Sequence, residues 1–194
     1  MLQNNAAWLC QEPDGSVRIT GPGPRALLAG SFNPLHQGHR LLNESAGRLL
    51  GLPVAYELSI RNVDKPELTE EEVRRRLEQF RGIAPIYVTR AMTFERKATL
   101  FPDCVMVVGH DTAERIVSPS YYGDELASRD RSLEAIRQTG GRFLVAGRMG
   151  KEGFIALEQS KIPPSFRGMF EGISEADFRL DVSSSQLRCQ SSLG

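Results

Sequence analysis

Two of the chain's three histidines stand three residues apart in Gly30-Ser31-Phe32-Asn33-Pro34-Leu35-His36-Gln37-Gly38-His39. At that spacing His36 and His39 can face one side of a helix's first turn. A neutral imidazole donates a hydrogen bond to a phosphate oxygen without carrying a permanent charge. Gly38, between the two, has no side chain to block a ligand, and Gly30 is a place where the backbone turns tightly or lets a ligand come close. The geometry suits a nucleoside triphosphate lying across the histidines. Two other readings stand beside this one. A His-x-x-His pair can ligate zinc, although no third or fourth ligand is evident nearby. The pair can also simply pack.

The flanking residues set where the histidines sit. Ala26 to Ala29 is a short apolar run with the character of a buried parallel strand. Pro34 interrupts regular structure. Leu41, Leu42, Ala46, Leu49 and Leu50 then recur at helical spacing, and Gly51 supplies a stop. The histidines therefore fall between a strand's end and a helix's start. A helix start carries unpaired N–H groups and a partial positive charge, both favourable to phosphate.

The ten residues from Gly30 to His39 resemble the signature of the nucleotidylyltransferase superfamily, the HxGH-bearing α/β-phosphodiesterases with a cytidylyltransferase-like fold. The Phe32-Asn33-Pro34 context is most similar to the nicotinamide and nicotinate mononucleotide adenylyltransferases. Three further stretches carry the resemblance. Lys65 lies in Ser59-Ile60-Arg61-Asn62-Val63-Asp64-Lys65-Pro66 and matches a lysine-bearing loop, though a solvated loop lysine is the plainer reading. Gly109-His110-Asp111-Thr112 matches a Gly-x-Asp segment near the nucleotide, where Asp111 accepts from ribose hydroxyls, organises a magnesium shell or caps the next helix. His110 reads as an ordinary half-buried histidine. Asp181-Val182-Ser183-Ser184-Ser185-Gln186-Leu187-Arg188 is similar to an Ile-Ser-Ser-Thr-x-x-Arg segment, with Val182 for Ile and Ser185 for Thr. Read alone it is a flexible tail.

The resemblance implies adenylyl transfer from ATP, with magnesium arriving on the nucleotide, to a phosphorylated acceptor such as nicotinamide or nicotinate mononucleotide, with release of pyrophosphate. His36, His39, Lys65 and Arg188 are the implied catalytic residues. Gly30, Ser31, Phe32, Asn33, Gly38, Asp111, Ser183, Ser184 and Ser185 are the implied nucleotide-binding ones. A cytidylyltransferase, another acceptor, or a nucleotide-binding module of low activity are the alternatives. Gly147-Arg148-Met149-Gly150-Lys151-Glu152-Gly153 is glycine-rich but lacks the spacing of a dinucleotide loop. Arg148 there is still placed to touch a ligand.

Composition sets the frame. The 194 residues suit one α/β domain. We take residues 25–194 as that domain and residues 1–24 as a lead-in, with a small hairpin of Trp8–Cys10 and Val17–Ile19 around Asp14-Gly15. Val54–Ile60, Pro85–Val88, Val105–Val108 and Phe143–Ala146 read as strands, the last closing the core. Thr69–Phe80, Phe94–Leu100 and Ser132–Thr139 read as helices. Thr69 and Glu72 form a capping box, and Val73, Leu77 and Phe80 form a buried face. Such alternation implies a doubly wound, Rossmann-like parallel sheet. Residues 115–130 and 148–178 read as loops over the site. Lys+Arg and Asp+Glu both number 24, so no global field draws in nucleic acid or an anionic membrane. Scattered Cys10, Cys104 and Cys189 argue against a disulfide framework. No signal peptide or membrane-spanning run is evident, which makes the cytoplasm the expected compartment. A homo-oligomer is left open.

Overall fold

The computed structural model describes residues 6–61, 66–150, 153–157 and 161–178. Its centre is an eight-stranded sheet. Six strands are parallel: β3 (Ala26–Ala29), β4 (Ala55–Ser59), β5 (Ile86–Thr89), β6 (Val105–Gly109), β7 (Arg142–Ala146) and β10 (Phe170–Ile173). Beyond β5 lie β1 (Trp8–Gln11) and β2 (Val17–Arg18), paired antiparallel. A separate ribbon joins β8 (Arg148–Gly150) and β9 (Gly153–Ile155).

The order across the sheet is β10-β7-β6-β3-β4-β5-β1-β2. From β3 the chain steps outward to β4 and β5. It then returns to the other side of β3 with β6 and steps outward again to β7. The direction of winding thus reverses between β3 and β6, and in open α/β sheets ligands bind at the carboxyl ends beside such a reversal.

Both faces of the sheet are covered, which is why its strands are apolar on both sides. On one face Leu28, Tyr56, Leu58 and Val107 pack with Leu42 and Ala46 of α1 (Gln37–Leu50) and with Val73 and Leu77 of α2 (Glu70–Glu78). On the other, Leu27, Met106, Phe143 and Val145 meet α3 (Phe94–Leu100), α4 (His110–Val117) and α5 (Leu126–Gln138) through Ala98, Ala113, Ile116, Leu133 and Ile136. The expected capping box closes α2, with the Glu72 N–H donating to Thr69 Oγ1 and the Thr69 N–H to a Glu72 carboxylate oxygen. Val73, Leu77 and Phe80 are all buried, as their spacing requires. Gly51 ends α1 in the left-handed region at φ 64°.

Several expectations change. The sheet does not close at Phe143–Ala146, because β10 pairs with β7 at Phe170↔Phe143 through Ile173↔Ala146. Its Glu171 and Gly172 are exposed and break the apolar pattern that marks the other strands. The hairpin forms around Asp14-Gly15, and β1 adds to the sheet on β5, from Trp8↔Thr89 to Gln11↔Ile86. α5 begins at Leu126, six residues before its apolar stripe, since its first turns are polar and face water. In α1 only the line through Gly38, Leu42, Ser45 and Ala46 is buried, leaving Leu41 and Leu49 36% and 46% exposed. Cys10 and Cys104 are core thiols, and burial raises the pKa of both.

One charge sits inside the sheet. Glu57 of β4 is buried between apolar neighbours, and both its oxygens lie 2.8 Å from Lys97 Nζ of α3. Lys97 also donates to the Ala91 carbonyl, and Thr89 Oγ1 donates to Glu57. A buried ion pair contributes little against an apolar substitute, but losing one partner strands the other. Lys97→Met is expected to cost about 3–5 kcal/mol in denaturant unfolding, and Glu57→Gln added to it to recover more than half.

Candidate active site

The loop from β3 to α1 is built around Phe32. The Gly30 N–H donates to the Glu57 carbonyl at 3.0 Å, extending the β3–β4 ladder by one bond. The chain then folds back, with Phe32 at φ 45°, and drives its ring into the core, where it is fully buried. The ring packs edge-on against Tyr56, Phe80 and His39, with centroids 5.1–5.3 Å apart. It also lies directly over Gly30. A Cβ on that residue would stand 2.7 Å from the Phe32 ring, so the glycine is required by this aromatic contact.

Helix α2 clamps the same loop. Arg76 donates to the Ser31 carbonyl at 2.9 Å. Gln79 Nε2 donates to the Phe32 carbonyl, and Gln79 Oε1 accepts from the Leu35 N–H at 2.8 Å. Arg75 donates to Asn33 Oδ1. Arg76 is buried and paired with Glu72. A loop carrying several backbone polar groups needs partners for them, and α2 supplies these.

His36 is the N-cap of α1, and Gln37, Gly38 and His39 form its first turn. The His39 N–H closes that turn on the His36 carbonyl at 3.0 Å, while the N–H groups of Gln37 and Gly38 precede the first bond within the helix. The His36 and His39 rings stack at 3.7 Å, 26° from parallel. The His36 N–H donates to His39 Nδ1 at 3.3 Å. With Nδ1 accepting, neutral His39 carries its proton on Nε2, which is then a hydrogen-bond donor. Burial, and then the neighbouring His36, push the His39 pKa down to about 4.

The second half of the site comes from β6. Leu28 is in register with Val107, so the ends of β3 and β6 lie side by side, about 5 Å apart. Gly109 is the N-cap of α4, and His110 and Asp111 open the helix. Asp111 is therefore in the first turn and does not cap the helix, because the helix starts at the last residue of the strand. His110 is fully buried beneath it. The His110 ring nitrogen and the carboxylates of Asp111 and Glu114 gather within 4.8 Å. Arg148, the first residue of β8, donates to Asp111 Oδ1 at 2.6 Å, so this carboxylate already faces a cation.

The structure thus brings Gly30, Ser31, Phe32, Asn33, His36, Gly38, His39 and Asp111 to one edge of the sheet. Ser31 and Asn33 are exposed, His36 and His39 half-buried, and Phe32 lies beneath as support. Lys65, Ser183, Ser184, Ser185 and Arg188 lie outside the described residues. Arg75, Arg76 and Gln79 were not among the expected site residues. Their signal was weak, since an arginine row on an amphipathic helix reads as a solvated face.

The depressed His39 pKa has a consequence for stability. Between pH of about 6.5 and 4 the unfolded chain protonates this ring and the folded one does not, so the contribution of His39 is full above that window and is lost as pH falls through it. Against His39→Gln, the wild type is expected to lose stability on going from pH 7 to pH 4. Thermal unfolding of both proteins across that range measures this, and a constant difference would contradict the assigned neutral ring.

None of the curated proteins compared is detectably similar to the chain. A model of the cytidylyltransferase-like family matches residues 27–190, from β3 through all the motifs described above. The chain belongs to the cytidylyltransferase-like family, which supports nucleotidyl transfer as its general chemistry.

Proposed function

We propose that the protein transfers AMP from ATP to the phosphate of a mononucleotide such as nicotinamide or nicotinate mononucleotide and releases pyrophosphate. The observation that carries this reading is the stacked His36–His39 pair at the start of α1, with His39 kept neutral by burial, beside the reversal between β3 and β6. The Phe32-Asn33-Pro34 context favours ATP over CTP.

In this reading the triphosphate lies across the first turn of α1. The N–H groups of Gln37 and Gly38 and His39 Nε2–H donate to its oxygens. A triphosphate beside the ring raises the His39 pKa, so the imidazole gains positive character as charge develops. The acceptor phosphate attacks the α-phosphorus, its new P–O bond forms, and the bond to the β-phosphate oxygen breaks. No protein nucleophile is needed, and the gain comes from positioning and charge stabilisation. Asp111 exchanges Arg148 for a ribose hydroxyl. Exposed ion pairs are weak, so that exchange costs little. Ser183, Ser184, Ser185 and Arg188 take the departing pyrophosphate, and Lys65 meets the acceptor. Magnesium enters with ATP as part of the substrate.

His39→Ala is expected to lower turnover by about 10²–10³ with ATP and a mononucleotide acceptor, the usual loss for one stabilising donor. Pyrophosphate release across a panel of nucleoside triphosphates and phosphorylated acceptors measures this and identifies the pair used. Full activity in His39→Ala would remove the histidines from the chemistry. Preference for CTP would move the assignment to cytidylyl transfer.

A further inference from the structure

Arg61 follows β4 and Arg90 follows β5, so two neighbouring parallel strands each place an arginine at the carboxyl edge of the sheet. Both guanidinium groups turn to one carboxylate. Arg61 Nε lies 2.9 Å from Glu67 Oε2, and Arg90 Nε lies 3.8 Å from Glu67 Oε1. Each cation thus takes a different oxygen of the same acid. Glu67 is carried there by the chain returning over the strand ends, where the Leu68 N–H donates to the Ile60 carbonyl at 2.9 Å. The Ile60 N–H in turn donates to the Thr89 carbonyl, which locks the two strand ends together.

The arrangement has the form of a carboxylate site filled from within. The three side chains are 52%, 39% and 52% exposed, so an incoming group can reach them. Exposed pairs of this kind hold weakly, and Glu67 can leave at small cost. A guanidinium matches a carboxylate in both charge and shape. The position matches as well. The triphosphate is assigned to the β3–β6 side, which leaves the ends of β4 and β5 for the acceptor. With neighbouring strands about 4.8 Å apart, the end of β5 stands about 10 Å from that of β3, roughly the length of a mononucleotide.

We propose that Arg61 and Arg90 recognise a carboxylate at the far end of the acceptor, and that Glu67 holds this place until the acceptor displaces it. The inference rests on the proposed adenylyl transfer for the placement of the acceptor. It goes further by choosing an acceptor that bears a carboxylate over one that bears a carboxamide.

Nicotinate and nicotinamide mononucleotide differ in that one group and serve as the probes. Their equilibrium binding without ATP is measured first, and pyrophosphate release with ATP second. The wild type is expected to bind the nicotinate compound about tenfold more tightly, the scale of one charge-assisted contact. Arg61→Gln and Arg90→Gln should each erase most of that preference while changing nicotinamide mononucleotide binding by less than about twofold. Glu67→Gln should tighten nicotinate mononucleotide alone, an effect that a merely structural glutamate would not give. Equal binding of the two compounds by the wild type overturns the inference, as does Glu67→Gln weakening both. If the preference is found and neither compound is turned over, the carboxylate site stands and the adenylyl reading falls.

Discussion

Phe32 leaves the end of β3 with a positive φ and puts its ring into the core between Tyr56, Phe80 and His39. That one side chain couples the packed interior to the histidine pair. A positive φ is unfavourable for a bulky residue and persists only where the surroundings fix it. Here the fixing comes from two directions. The ring is held by aromatic neighbours, and the backbone on either side is held by Arg76 and Gln79 of α2. Gly30 then follows as a requirement, since any side chain there would collide with the ring. Its N–H still completes the ladder to β4. The start of α1 therefore has its place set by the core before any ligand arrives, as preorganised electrostatic stabilisation demands.

The electrostatics are local. The chain carries no net formal charge, so an anionic ligand is attracted by what gathers at one edge of the sheet. At that edge the helix start of α1 offers N–H groups, and His39 is kept neutral by burial. Two carboxylates there, Asp111 and Glu67, already sit against arginines. These exposed pairs keep the cations in place at low energetic cost, and in the proposed reading substrate groups replace the carboxylates. The buried Glu57–Lys97 pair is different in kind. It fixes the Ala91 carbonyl after β5, while the Glu57 backbone carbonyl receives Gly30, so one residue joins two strand-end loops.

Much of this was legible in the residues. Most strands of the parallel core are apolar runs, and α2 carries a clear capping box and apolar stripe, so their places followed directly. The histidine motif needed only a strand before it and a helix after it, and both are present. What stayed hidden has a physical reason in each case. β10 is short and half polar, and the first turns of α5 have no apolar stripe because they touch no core. Arg76 looks like a solvated charge in sequence and becomes a buried clamp only because the carbonyl of Ser31, far away in the chain, needs a donor. Phe32 read as a ligand-contacting residue within a motif, whereas its burial makes it the support under His39. Glycine at position 30 signalled a close approach, and the approaching group is the chain's own phenyl ring.

In the proposed reading a neutral His39 at the start of α1 faces the phosphates of the nucleotide. Nitrogen-detected NMR of the histidine side chains, titrated with and without magnesium ATP, tests it most directly. Without nucleotide, His39 should be neutral with its proton on Nε2 and should titrate near pH 4. With nucleotide its pKa should rise by about one unit or more, as an adjacent phosphate requires. A His39 signal that titrates unchanged in the presence of saturating magnesium ATP would contradict the account.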